Sequence, residues 1–158
     1  MSHHLPQFDL LPVEALNALV SESNESFVAS KEHPNQKTVE LLVRFRTDPE
    51  YVAYGYTVDG KPASYILALS HKGAGTIAIG PMYVANDFRG QGLGKQQAAD
   101  FIDHYQNAGY TTIATRTWSS NTASTAIFEQ LGFRVVETIP GDRVNGDATL
   151  LFELQLPS

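Results

Sequence analysis

The stretch Phe88-Arg89-Gly90-Gln91-Gly92-Leu93-Gly94-Lys95 decides how this chain is read. Before it, residues 76–84 (TIAIGPMYV) read as a strand. After it, Ala98, Phe101, Ile102, Tyr105 and Ala108 recur at helical spacing. A strand, a glycine-rich turn and a helix start together make an anion site. The N–H groups of a first helical turn have no partner within the helix. Glycine lets that backbone approach a ligand closely, and the helix dipole favours negative charge there. Arg89 and Lys95 add cationic charge.

The spacing narrows the ligand. A nucleotide-binding P-loop needs Gly where Arg89 stands and Ser or Thr where Gln96 stands. A dinucleotide fingerprint G-x-G-x-x-G starting at Gly90 or Gly92 meets Lys95 or Gln97 at its last position. What remains is Arg-x-x-Gly-x-Gly, carried by Arg89, Gly92 and Gly94. Residues 111–117 (TTIATRT) then read as a strand after a stop at Gly109. They lead into Asn121-Thr122-Ala123-Ser124-Thr125-Ala126-Ile127-Phe128-Glu129-Gln130-Leu131-Gly132-Phe133. Ala123, Ala126, Ile127 and Leu131 form an apolar stripe, Asn121 can cap a helix, and Gly132 suits its left-handed end.

These two linked segments resemble the signatures of the GNAT superfamily of N-acetyltransferases, most specifically from Thr76 to Phe133. The resemblance implies an α/β sandwich: a mixed, mostly antiparallel sheet flanked by helices, with one splayed strand pair that takes acyl-CoA. It implies acetyl-CoA as co-substrate. Residues Arg89, Gly90, Gln91, Gly92, Leu93, Gly94 and Lys95 would hold its pyrophosphate. Met82, Tyr83 and Val84 would meet the pantetheine arm with their main chain, and Asn121 would touch that arm as well as capping; Phe128 reads equally as packing near the thiol and as a core aromatic of the helix. Pro81 fits this picture. Proline donates no ladder hydrogen bond, so a strand containing Gly80-Pro81 is expected to bulge or to part from a neighbour.

The rest of the chain extends the pattern. A helix is expected over residues 12–23, a polar loop over 23–36 and a second helix over 38–46. Two strands, 51–58 and 63–70, are joined at Asp59-Gly60, a hairpin signal. A strand over 134–139, a loop over 140–147 and a last strand over 148–156 follow. There are no repeats or linkers, so residues 1–158 read as one domain.

Composition sets bounds. The chain has no cysteine, which excludes disulfides, thiol nucleophiles and thiolate metal sites; no His/Asp/Glu spacing suits a metal either. A net charge of -6 disfavours nucleic-acid binding and suits a cationic acceptor. No apolar run is long enough to span a bilayer and the N-terminus lacks a signal pattern, so a cytoplasmic protein with no membrane partner is expected. The expected partner is a small amine or a peptide amine, and a homodimer stays open.

The chemistry is less legible. Acyl transfer to an amine needs a neutral amine, aligned reactants and a donor for the developing oxyanion. Many family members carry Tyr where this chain has Phe128, which cannot protonate a thiolate. Ser119 and Ser124 are weak substitutes. No carboxylate occurs early in the 76–84 strand, so the base is unassigned; Glu40 and His71 are the weak candidates, with Glu22, Glu25, Glu32 and His33 behind them. Tyr54, Tyr56, Tyr65 and Tyr83 are candidates for an acceptor pocket. A transferase without an enzyme base is therefore the reading. The alternatives are a non-catalytic acyl-CoA-binding module and a transferase for a longer acyl group.

Overall fold

A computed structural model of the chain describes residues 7–11, 13–23, 31, 51–70 and 73–157. The helix expected over 38–46 lies outside these residues, as do Glu25, Glu32, His33, Glu40 and His71. The described elements are β1 (Gln7–Leu10), α1 (Val13–Ser23), β2 (Tyr51–Val58), β3 (Lys61–Pro62), β4 (Ser64–Leu69) and β5 (Thr76–Val84). After a single 3-10 turn (Asn86–Phe88) come α2 (Leu93–Asn107), β6 (Thr112–Trp118), α3 (Thr122–Gln130), β7 (Arg134–Ile139) and β8 (Thr149–Gln155).

The strands make one sheet in the order β1-β2-β4-β5-β6-β8-β7, with β3 extending β2. All pairs are antiparallel except β5 with β6. Parallel neighbours need a crossover, and α2 supplies it. The mixed, mostly antiparallel sheet flanked by helices is the architecture the sequence predicts. The Asp59-Gly60 turn is present: both residues are left-handed, at φ 51° and 78°, and they close Val58 onto Lys61. Strand β1 was not expected. It forms because Phe8 stacks on Tyr54 at 5.3 Å and meets the Tyr56 ring edge-on at 5.8 Å.

The two faces of the sheet carry separate cores. Leu16, Leu19 and Val20 of α1 pack on Ala53, Tyr65, Leu67 and Tyr83. Phe101 and Tyr105 of α2 and Phe128 of α3 pack on Ile66, Ile77, Ile79, Ile113 and Phe152. Each large side chain so enclosed contributes about 1.5–3 kcal/mol relative to exposure. At Gly55 a Cβ would stand 2.0 Å from the Ser64 carbonyl oxygen, so only glycine fits between β2 and β4.

Candidate active site

The parallel ladder between β5 and β6 is short. It pairs Thr76 with Thr112 through Ile79 with Thr115, and then stops. Both strands continue, β5 to Val84 and β6 to Trp118, so a gap opens between them. Strand β5 stays paired to β4 on its other edge, from Met82 opposite Ile66 to Val84 opposite Ser64. Between Ile79 and Met82 that register shifts, which makes a bulge at Gly80-Pro81. The extra residue reverses side-chain parity. Before the bulge, Ile77 and Ile79 face α2; after it, Tyr83 and Ala85 face α1, while Met82 packs on the α2 side. Proline is tolerated here because its edge of β5 no longer needs a donor toward β6.

At the end of the gap lies the glycine loop. Gly90 and Gly92 are left-handed, at φ 79° and 76°, and a Cβ on either would meet nothing within 4 Å. Gly92 occupies the N-cap of α2, and Gln96 N–H bonds back to its carbonyl at 3.1 Å. Among the described residues no hydrogen bond takes the N–H groups from Gly90 to Lys95. The buried Leu93 side chain anchors this turn against Tyr56 and Ala63, and the exposed Lys95 stands one turn in. Gly94 has a different role: a Cβ there would sit 3.3 Å from Ile127 of α3, so it lets the two helices approach. Arg89 is held rather than free. Its Nε donates to the Val84 carbonyl at 3.1 Å, and its guanidinium lies 5.1 Å from the centre of the Tyr83 ring.

Across the gap, Asn121 caps α3. Its Oδ1 accepts from Ser124 N–H at 3.3 Å and its Nδ2 donates to Thr117 Oγ1 at 3.0 Å. A carboxamide retains a second lone pair and a second N–H after these bonds. The helix ends as the sequence predicts, with Gly132 at φ 97° and Phe133 N–H returning to the Phe128 carbonyl at 3.0 Å. Phe128 itself is 2% exposed, with ring centres 5.3 Å from Phe133 and 5.6 Å from Phe152. Of its two readings the structure favours the second: Phe128 is a core side chain.

Of the four tyrosine candidates for an acceptor pocket, three are engaged away from the gap. Tyr56 and Tyr65 are fully enclosed, bonded to Asp100 and to Ser23 respectively. Tyr54 bonds His104 at 3.2 Å and receives the Tyr105 hydroxyl, on the α2 side of the sheet. Only Tyr83 lies beside the gap, facing α1. Burial raises its pKa, and the Glu22 carboxylate that takes its hydroxyl raises it further. Glu22 also accepts the Asn86 N–H at 3.2 Å, so it braces α1 against the start of the glycine loop.

Ser119 Oγ accepts the Ala148 N–H at 3.0 Å and so clamps the start of β8. Asp147 bonds Ser120 and, at 3.0 Å, Asn145; these hydrogen bonds hold its carboxyl below the ordinary carboxylate range. The loop between β7 and β8 is thus tied to the far bank of the gap, which sequence reasoning did not resolve. A separate shallow depression of about 520 Å³, lined by Ser70, Gly73–Gly75 and Ala108–Tyr110, lies at the opposite end of β5. Among the described residues no group of His, Asp and Glu is arranged to hold a metal, and no helix is long and apolar enough to cross a membrane.

The fold as a whole is shared with solved structures of acetyltransferases. The ribosomal-protein-S18-alanine N-acetyltransferase from Escherichia coli superposes with a TM-score of 0.77 at 18% identity, over 98% of this chain and 96% of that one. A putative acetyltransferase, YncA, from Salmonella typhimurium, solved with its cofactor acetyl-CoA, gives 0.78 at 18% identity, over 97% and 95%. A phosphinothricin acetyltransferase from Sinorhizobium meliloti in complex with AcCoA gives 0.78 at 17%, over 96% and 88%. No curated protein matches the sequence. The model of the acetyltransferase (GNAT) family matches residues 16–133. The chain belongs to that family, and it is an acyltransferase.

Proposed function

We propose that this protein moves the acetyl group of acetyl-CoA to a primary amine of a small molecule or peptide, by direct transfer without a covalent enzyme intermediate. The observation that carries the reading is the gap: the β5–β6 ladder ends at Ile79 and Thr115 while β5 runs on to Val84 beside the glycine loop. The residues present suit the co-substrate. The unengaged N–H groups of Gly90 to Lys95 suit a pyrophosphate, and the freed edge of β5 from Met82 to Val84 suits an amide-bearing arm. Asn121 adds spare hydrogen-bonding capacity on the opposite bank. Acetyl-CoA supplies an activated acyl carbon and a thiolate that leaves readily. The protein supplies alignment and a backbone donor near Val84 for the charge that develops on the acyl oxygen.

No described residue stands beside the gap as a free general base. Glu22 is occupied with Tyr83 and Asn86, and Asp142 and Asp147 with the β7–β8 loop. Glu25, Glu32, His33, Glu40 and His71 lie outside the described residues, and in the proposed reaction the amine attacks in its own neutral form. The test is free-thiol release from acetyl-CoA with and without a panel of primary amines, together with mass spectrometry of the amine. Release that requires an amine and yields its acetylated form is expected; release indifferent to amine would overturn the proposal.

A further inference from the structure

The far bank of the gap carries an unusual arrangement of charge. On β6, Ile113 packs among α2 and α3, and Thr117 accepts from Asn121 of α3. Residues of opposite parity, Arg116 and Trp118, therefore face the α1 side. Arg116 is exposed and stands one position beyond Thr115, the last residue paired to β5. The guanidinium of Arg143, from the β7–β8 loop, lies 5.7 Å from the centre of the Trp118 indole.

The two arginines are held differently. Arg143 is 9% exposed, and its Nε donates to Thr149 Oγ1 at 2.8 Å, whose hydroxyl donates to Asp142 at 2.5 Å. Burial lowers its pKa; Asp142 opposes that, and the charge of Arg116 adds to it. Arg116 has no such support. Glu153 is its diagonal neighbour, paired opposite Ala114, but among the described residues neither an ion pair nor a hydrogen bond engages the Arg116 side chain. An exposed guanidinium beside a second cation attracts an anion. Its planar fork matches a carboxylate. The pyrophosphate loop opens α2 on the other face of the sheet, so the group that meets Arg116 approaches from the acceptor's side.

We infer that Arg116, on the splayed end of β6 beside Trp118 and Arg143, takes a carboxylate of the acceptor, so that preferred acceptors carry a carboxylate near the amine they present. This deepens the proposed acetyl transfer and rests on it for the direction of approach. A free amino acid and the end of a short peptide share this chemistry.

Trp118 is the chain's single tryptophan, so its fluorescence reports this site without turnover. The experiment titrates alanine, alaninamide and the dipeptide Ala-Ala against the CoA-bound protein, and measures kcat/KM for each. Alaninamide has the less basic amine, which favours its attack, so any preference for the acid arises from binding. The carboxylate-bearing acceptors should bind and react about ten- to a hundredfold better than the amide. Whichever of alanine and Ala-Ala is stronger distinguishes the two sources. In Arg116→Gln the acid-to-amide ratio should fall toward one, and Arg116→Lys should keep part of it; unfolding midpoints check that each variant is folded. Equal titration by acid and amide, or a preference that survives Arg116→Gln, overturns the inference. Carboxylate binding seen in fluorescence with no thiol release for any amine would instead remove the acetyl-transfer reading and leave this site standing.

Discussion

Gly92→Ala separates the role of the glycine loop in binding from its role in folding. Gly92 sits at φ 76°, where an L-residue costs about 1–2 kcal/mol, and its new Cβ would meet no protein atom within 4 Å. The cost to stability is thus conformational alone. For a chain of this size it lowers the unfolding midpoint by about 2–8 °C. Gly60→Ala is the matched control: φ is 78°, nothing lies within 4 Å, and the residue sits in the β2–β3 hairpin. Both variants should lose similar stability. Only Gly92→Ala should weaken CoA, because relaxing the turn misaligns the N–H groups from Gly90 to Lys95. A hydrogen bond to a charged group contributes about 1.5–3 kcal/mol, so losing one raises the Kd about tenfold or more. Calorimetric titration of CoA into both variants decides the matter. Unchanged CoA affinity in a folded Gly92→Ala would refute the backbone cradle.

Other outcomes follow from the same structure. Phe128→Tyr should destabilise by about 1–3 kcal/mol, since it places a hydroxyl among Phe133 and Phe152 with no described acceptor; Phe128→Leu should retain turnover, and its complete loss in a folded, CoA-binding variant would contradict a positioning-only mechanism. Burial, first among several causes, raises the pKa values of Tyr56, Tyr83 and Tyr105. Their contribution to stability is whole below the ordinary tyrosine value of about 10 and declines above it, because the unfolded chain releases those protons first. Unfolding midpoints that stay level as pH passes that value would contradict this. Turnover should rise with pH toward the acceptor's own pKa and peak lower for a less basic amine; one shared optimum near about 6.5 for two amines would point to an enzyme histidine.

Much of the fold was legible because its signals are local. Asp59-Gly60 demands a tight turn, Gly132 ends a helix, and the Phe101/Tyr105 spacing writes one face of α2. The proline at 81 announced irregularity in β5, and the structure resolves it as a bulge and a parting together. What was hidden depends on contacts distant in sequence. Strand β1 is four residues long and exists through Phe8 against Tyr54 and Tyr56. The fate of each tyrosine is set by parity, and one extra residue at the bulge turns Tyr83 toward α1. Phe128 reads equally as a site residue or a core residue until its neighbours Phe133 and Phe152 are in place. The network from Arg143 through Thr149 to Asp142 belongs to a loop whose composition reads only as polar.

The central claim is that the gap between β5 and β6, with its glycine loop, is where acetyl-CoA lies. Amide hydrogen exchange resolved by residue, with and without acetyl-CoA, tests it directly. Addition of acetyl-CoA should slow exchange at Met82 to Val84 and at Gly90 to Lys95, and leave Gly73 to Gly75 and Ala108 to Tyr110 unchanged. Slowing confined to the opposite end of β5, around the Gly73–Gly75 depression, or absent from the gap at saturating acetyl-CoA, would contradict the account.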